Sequence, residues 1–273
     1  MGQSTYQRIV GDTILTSTNP ADVWEDWKGE DESWLFLAPH DDDIAIGAGL
    51  TFLAALNDGI KVSAAITTNG ESGYCRLEHK GKVAQVRESE ARASFSAMGL
   101  PAKDLYFLGY HDSGLDHFTG HFWTDEEGPT VIAGATGLQN SFTWLLRQVR
   151  PTRIFLPSGT DIHPDHCIAR QEMIISIFHA EGKIWPELGE PIPVFPKIYE
   201  YATYCDFLTP PQTRITVSDA LLQKKLDGIA AYVSQEQIAT LVALHRQAGN
   251  RECVRQMEFK LITPGKYNHL FDK

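Results

Sequence analysis

The chain has 273 residues, 42% of them hydrophobic and 22% charged, with a formal net charge of -11. That length can bury a sizeable core, and the composition is ordinary for a globular enzyme. The acidic balance argues against nucleic acid or an anionic membrane surface as a partner, and no apolar run approaches the ~18 residues that span a bilayer.

The start, Met1 to Asp12, lacks the basic patch and apolar stretch of a signal peptide. Cys75, Cys167, Cys205 and Cys253 are scattered, with no Cys-x-x-Cys pair, as expected of reduced thiols in a cytoplasmic protein. Ser33 to Ala38 reads as a buried strand, followed by a helix from about Ile44 to Asn57 that Gly59 stops. Lys61 to Thr68 is a β-branched strand. A polar loop, Asn69 to Lys80, then leads to a helix over Val83 to Met98, closed by Gly99.

Leu105 to Leu108 is a short strand, and Gly109 to Ala135 is a long segment of little periodicity, the kind of loop that is more often functional than structural. Leu138 to Val149 is helical and Ile154 to Leu156 is a strand. Pro164 opens a helix running to about Ala180, since proline suits a first helical position. Val194 to Thr203 and Thr213 to Val217 read as strands, and Leu221 to Tyr232 and Gln235 to His245 as helices. Strand–helix alternation up to about Ala180 predicts an α/β fold, a mostly parallel sheet flanked by helices. No linker divides the chain, so residues 1–273 are read as one domain.

Two clusters lie just past strand ends. The first is His40-Asp41-Asp42-Asp43, after Trp34 to Ala38. The second is Asp161-Ile162-His163-Pro164-Asp165-His166, after Arg153 to Leu156. In open α/β sheets that edge is where active sites are built. The first loop has aspartates where a phosphate site would need glycines, so it repels phosphate and attracts a cation. Gly47 and Gly49, a turn later, serve close helix–sheet packing. An aspartate here could simply cap the following helix, but His40 shifts the balance, because a tight turn can converge His40 and Asp43 while leaving Asp42 beside a metal. His163 and His166 could either or both reach the same ion, with Asp161 and Asp165 fixing imidazole tautomers. Cys167 is read as a small packed hydrophobe following His166, and His117 and His121 as cleft wall or solvent-facing groups.

These residues resemble the PIG-L/LmbE family of zinc-dependent N-deacetylases. Ala38-Pro39-His40-Asp41-Asp42-Asp43 is similar to that family's Pro-His-Pro-Asp-Asp-Glu motif, and His163-Pro164-Asp165-His166 to its His-Pro-Asp-His motif. Thr68 to Glu71, Arg87-Glu88, Leu108 to Leu115, Lys225, Tyr232 to Gln235 and Glu258-Phe259 resemble further stretches of it. The resemblance implies a Rossmann-like fold and one zinc-class ion on His40, Asp43 and His166. It makes Asp42 the general base and His163 the group that stabilises the oxyanion or protonates the leaving amine. Arg87 and Asp112 match positions that hold sugar hydroxyls, and Glu71 one near the acetyl-binding end. Asp41 replaces the usual proline and Ile44 the usual glutamate. Asp161 stands where some thiol-cofactor deacetylases of the family carry tyrosine.

The implied substrate is a small N-acylated amine or amino sugar, with no nucleic-acid or membrane partner and self-association into a homo-oligomer left open. Two rivals remain at this point. One is a metal-dependent hydratase of an unsaturated carboxylic acid, and the other is a non-catalytic metal-binding module.

Overall fold

The computed structural model describes residues 2–272. Eleven strands occur in chain order: β1 (Thr5–Val10), β2 (Thr13–Ser17), β3 (Ser33–Ala38), β4 (Lys61–Thr68), β5 (Leu105–Tyr110), β6 (Phe122–Trp123), β7 (Ala135–Thr136), β8 (Arg153–Pro157), β9 (Lys197–Tyr201), β10 (Thr213–Thr216) and β11 (Arg251–Met257). The helices are α1 (Gly49–Asn57), α2 (Val83–Met98), α3 (Leu138–Val149), α4 (Pro164–Glu181), α5 (Asp219–Ala230) and α6 (Ile238–Ala248). Nine strands form one sheet in the order β2-β1-β10-β11-β9-β8-β3-β4-β5, and β6 and β7 make a small separate ribbon.

Strand β3 shows why its sequence is a continuous apolar run. Trp34, Phe36 and Ala38 face one core layer, packed with residues of α1, α2 and α5. Leu35 and Leu37 face a second layer built with α3 and α4. A parallel strand covered on both faces has no solvent side to alternate with. Phe36 lies opposite Phe155 of β8, and their rings stack 4.2 Å apart with planes 6° from parallel.

The expectation of an α/β sheet flanked by helices holds. From β9 through β8, β3 and β4 to β5 all neighbours are parallel, whereas β11, β10, β1 and β2 extend it antiparallel. The sheet is therefore mixed, a parallel half that carries the strand ends of interest and an antiparallel extension beside it. The first helix departs from expectation: Ile44–Ala48 is a π-helical turn that only then becomes α1. Such wide turns mark functional sites often. Here Gly47 lets the turn come close to the end of β9, since a Cβ on it would lie 2.6 Å from the Tyr201 ring and 2.7 Å from the Ala202 carbonyl oxygen. The segment Gly109 to Ala135 is not featureless either, because it carries the end of β5, a 3-10 turn at Leu115–Phe118, and β6.

The connectivity places the site. From β3 the chain steps through β4 to β5 on one side, then returns to lay β8 and β9 on the other. The crevice beyond the C-terminal ends of β3 and β8 is thus the topological switch point, where open α/β sheets bind ligands.

Candidate metal centre and its cleft

The turn after β3 is pinned from β4. The Thr68 amide and hydroxyl both donate to the Pro39 carbonyl at 2.9 Å, and the Thr67 hydroxyl donates to the Ala38 carbonyl at 3.0 Å. Asp43 does not cap the helix ahead of it. Its Oδ2 instead accepts from the His40 amide at 2.8 Å, closing the tight turn back on itself. That turn brings His40 Nδ1 within 3.5 Å of Asp43 Oδ2. From the first turn of α4, His166 Nε2 comes to 3.2 Å from Asp43 Oδ2 and 3.1 Å from His40 Nδ1.

The outer partners decide what these three atoms are. His166 Nδ1 lies 3.1 Å from Asp161 Oδ2, so the proton sits on Nδ1 and the Nε2 lone pair faces inward. His40 Nε2 lies 3.3 Å from Asp165 Oδ2 and 3.2 Å from Asp112 Oδ1, which turns its Nδ1 lone pair inward as well. Two imidazole lone pairs and a carboxylate oxygen therefore converge with no donor between them, an arrangement that is repulsive unless a positive charge sits at its centre. Atoms held at the ~2.0–2.2 Å distances of zinc in a tetrahedral shell are roughly 3.3 Å apart, so the donor set fits a small divalent cation. Asp43 Oδ1 is also buried without a partner.

The carboxylates around the two imidazoles draw positive charge to this point, whether as protons on the rings or as a cation between them. Burial opposes charge on all three groups and is outweighed. Asp112, Asp165 and Asp43 push His40 well above its ordinary value, Asp43 raises His166, and the two imidazoles hold Asp43 far below the carboxylate range.

Asp165 is anchored across the cleft, its carboxylate accepting from the Ser113 amide at 2.7 Å and the Leu115 amide at 3.2 Å. His163 stands at the N-cap of α4, where its Nδ1 accepts the Asp165 amide proton at 3.2 Å. The neutral ring then carries its proton on Nε2, and burial together with the neighbouring His40 and His166 lowers its pKa. His163 lines a cleft of about 240 Å³ with His40, Asp42, Asp112 and, on the far side, Gln235 and Gln237. Burial raises the Asp42 carboxyl, and the charge of Asp43 adds to this against the pull of Arg87.

The expected substrate residues fall in three different situations. Asp112 lines the cleft, with Oδ2 accepting from the Ser72 amide at 3.0 Å. Arg87 is buried in the wall, its Nε and Nη2 both donating to Asp41 Oδ1 at 3.1 and 2.6 Å. Glu71 is not among the cleft-lining residues. Its carboxylate turns to Asn69 Nδ2 at 3.2 Å and His111 Nδ1 at 2.6 Å, because the loop after β4 folds back on itself.

Other sequence expectations need revision. Cys167 is exposed instead of packed, its Sγ 3.0 Å from the Asp161 carbonyl oxygen. His117 is solvent-exposed, one of the two alternatives expected of it, whereas His121 stacks on Trp185 with centroids 4.1 Å apart and does not line the cleft. Tyr204 was not foreseen. It lines the cleft, 58% exposed, with its ring 5.9 Å from His163 and 5.2 Å from His166.

With this geometry in place, comparison with known proteins is decisive at the level of family. The model of the family described as PIG-L, GlcNAc-PI de-N-acetylase, matches residues 35–177, more than half of the chain. The chain belongs to the PIG-L family. A probable N-acetyl-alpha-D-glucosaminyl L-malate deacetylase 2 of Bacillus cereus is 29% identical over 138 residues, covering 48% of this chain and 54% of that protein. A 1D-myo-inositol 2-acetamido-2-deoxy-alpha-D-glucopyranoside deacetylase of Streptomyces avermitilis is 27% identical over 184 residues, 59% of this chain and 58% of the relative. The chain thus spans little more than half the length of these curated relatives.

Among solved structures, the N,N'-diacetylchitobiose deacetylase of Pyrococcus horikoshii superposes with a TM-score of 0.65 at 22% identity, over 86% of this chain and 88% of that one. The 4-carboxy-2-hydroxymuconate hydratase of Pseudomonas putida gives 0.63 at 18% identity, over 85% and 98%. These two likenesses establish the shared fold. No helix among the described residues is long and apolar enough to cross a membrane.

Proposed function

We propose that this chain is a metal-dependent N-deacetylase, a single hydrolase domain that removes an acetyl group from the amide nitrogen of an N-acetylglucosamine-type small molecule. The observation that carries the reading is the convergence of His40 Nδ1, His166 Nε2 and Asp43 Oδ2 at 3.1–3.5 Å, with Asp42 and His163 beside it in one cleft. His40, Asp43 and His166 would hold the ion, and zinc suits a two-imidazole, one-carboxylate set. When bound, such an ion polarises the amide carbonyl and makes water acidic enough to lose a proton near pH 7.

The chain's own groups do the rest. Asp42, with its pKa raised and its carboxylate in the cleft, accepts a proton from the attacking water. The water oxygen adds to the carbonyl carbon, and the His163 Nε2–H donates a hydrogen bond to the oxyanion that develops, a contribution of about 3–4 kcal/mol in comparable sites. The C–N bond then breaks as protonated Asp42 returns its proton to the nitrogen, and the amine leaves with acetic acid, which ionises to acetate in solution. Ser72, Asp112, Tyr204, Gln235 and Gln237 line the cleft with hydroxyl, carboxylate and amide groups suited to a polyol. That lining favours an amino sugar over an apolar amide.

A hydratase acting on an unsaturated carboxylic acid is less well served. Among the described residues lining the cleft Arg87 is the one Arg or Lys, and its Nε and Nη2 are already bonded to Asp41. The test is incubation of zinc-loaded protein with N-acetylglucosamine and N,N'-diacetylchitobiose, reading acetate and free amine together. Release of both supports the reading. Absence of both, with hydration of an unsaturated dicarboxylate under the same conditions, would replace it.

A further inference from the structure

Asp41 sits where the resembled motif has proline, and it has a definite partner. Its Oδ1 takes both Nε and Nη2 of Arg87, at 3.1 and 2.6 Å, and Nη2 also reaches Asp42 Oδ2 at 3.3 Å. The assembly is boxed on several sides. The Tyr232 ring lies 5.1 Å from the guanidinium carbon, and its hydroxyl donates to the Asp41 carbonyl. On another side Gly70, at φ +68°, is so close that a Cβ would sit 3.2 Å from Arg87 Cβ and 3.4 Å from Asp41 Oδ1. The Arg87 and Asp41 side chains are each only 4% exposed. Arg87 Nη1, the one terminal nitrogen without a partner, is itself buried.

A guanidinium held in this way is not free to hold a substrate hydroxyl. Two of its donors converge on a single oxygen of one buried carboxylate, and leaving that carboxylate would strand two buried charges. It does touch one group in the proposed machinery, namely Asp42. We propose that Asp41 is a positioning residue. It withholds Arg87 from the substrate and, through Arg87 Nη2, fixes the orientation of the Asp42 carboxylate. The Asp42 part of this inference rests on the deacetylase reading, whereas the withholding of Arg87 does not.

Two measurements on the metal-loaded protein test it, the first needing no substrate. Phenylglyoxal, which modifies accessible guanidinium groups, is followed by peptide mass spectrometry. Arg87 should react roughly tenfold or more slowly than the exposed Arg76, because it must first open locally. Replacing Asp41 by Ala, or more gently by Asn, should bring the two rates together. Arg87 reacting as fast as Arg76 in the unaltered protein would overturn the proposal.

The second measurement separates kcat from KM with an N-acetyl amino sugar. Asp41→Asn and Arg87→Lys should lower kcat by roughly tenfold with KM little changed, the signature of an interaction expressed only in the transition state. A raised KM at constant kcat in Arg87→Lys would mean that Arg87 binds substrate directly, and the proposal falls. If the unaltered enzyme releases no amine from any N-acetyl amino sugar, the deacetylase reading fails on its own, and the arginine chemistry still decides whether Asp41 withholds Arg87.

Discussion

His166 Nδ1, in the first turn of α4, lies 3.1 Å from Asp161 Oδ2, five residues earlier in the loop that leads into the helix. The carboxylate accepts the proton from one side of the ring and so leaves the lone pair on the other side facing Asp43. Asp161→Asn keeps the shape and removes the charge. Loss of such an outer partner weakens metal affinity by about 10–100-fold while the ligands remain. Competition against a chelator of known affinity should show that loss, and unchanged affinity would show that the tautomer is set by something else.

Asp42 and Asp43 are adjacent and chemically identical, yet the fold gives them different surroundings. Asp43 is in contact with both imidazoles, whereas Asp42 meets Arg87 and the cleft. Asp43→Asn should therefore lose metal by elemental analysis. Asp42→Asn should retain it and slow turnover by about 10²–10⁴-fold, the usual cost of removing a general base. A fully active, metal-replete Asp42→Asn enzyme would place the base elsewhere.

Gly47 tests the packing under the site. A methyl group there would meet the Tyr201 ring at 2.6 Å and the Ala202 carbonyl oxygen at 2.7 Å, and backbone cannot yield cheaply. Gly47→Ala should destabilise by about 1–3 kcal/mol, in line with other overpacked sites. Urea unfolding of the metal-free protein isolates this packing term from any change in metal affinity.

His245 gives a pH dependence remote from the metal. Burial, with a further push from Lys225 against a pull from Glu252, lowers its pKa to about 4. The fold thus holds it neutral while the unfolded chain protonates near pH 6.5. Its stabilising contribution is complete above about pH 6.5 and is lost as pH falls towards 4, because protons then favour the unfolded state. His245→Gln should flatten stability against pH across that window, read as urea midpoints at several pH values. An equal slope in both proteins would refute the assignment.

The parallel half of the sheet was legible from short apolar or β-branched runs, and both His/Asp motifs were legible because β3 and β8 are apolar runs followed by ionisable residues. Of the antiparallel half only β10 was, as Thr213 to Val217. Strands β1 and β2 are largely surface-exposed, with Ile14 and Leu15 open to solvent beside threonines, so no alternation between a buried and a polar face reveals them. Strand β11, Arg251–Met257, is masked in the same way by its charged residues. Distance along the chain hid the rest. Tyr204 reaches the cleft from a loop that carries no motif, and Gln235, although within the Tyr232 to Gln235 stretch, shows no cleft role in sequence. Asp41 reads as a deviation from a motif until Arg87, 46 residues later, is seen in its grip.

The two histidines that face each other across the switch point are 126 positions apart in the chain. An ion gripping both would act as a removable stitch, tying the turn after β3 to the turn after β8. Because the unfolded polypeptide offers no such assembled grip, each loading event would fasten the centre of the sheet in addition to equipping it. Starvation for metal would then loosen the seam between the two halves of the parallel sheet and leave the antiparallel extension on β11 untouched.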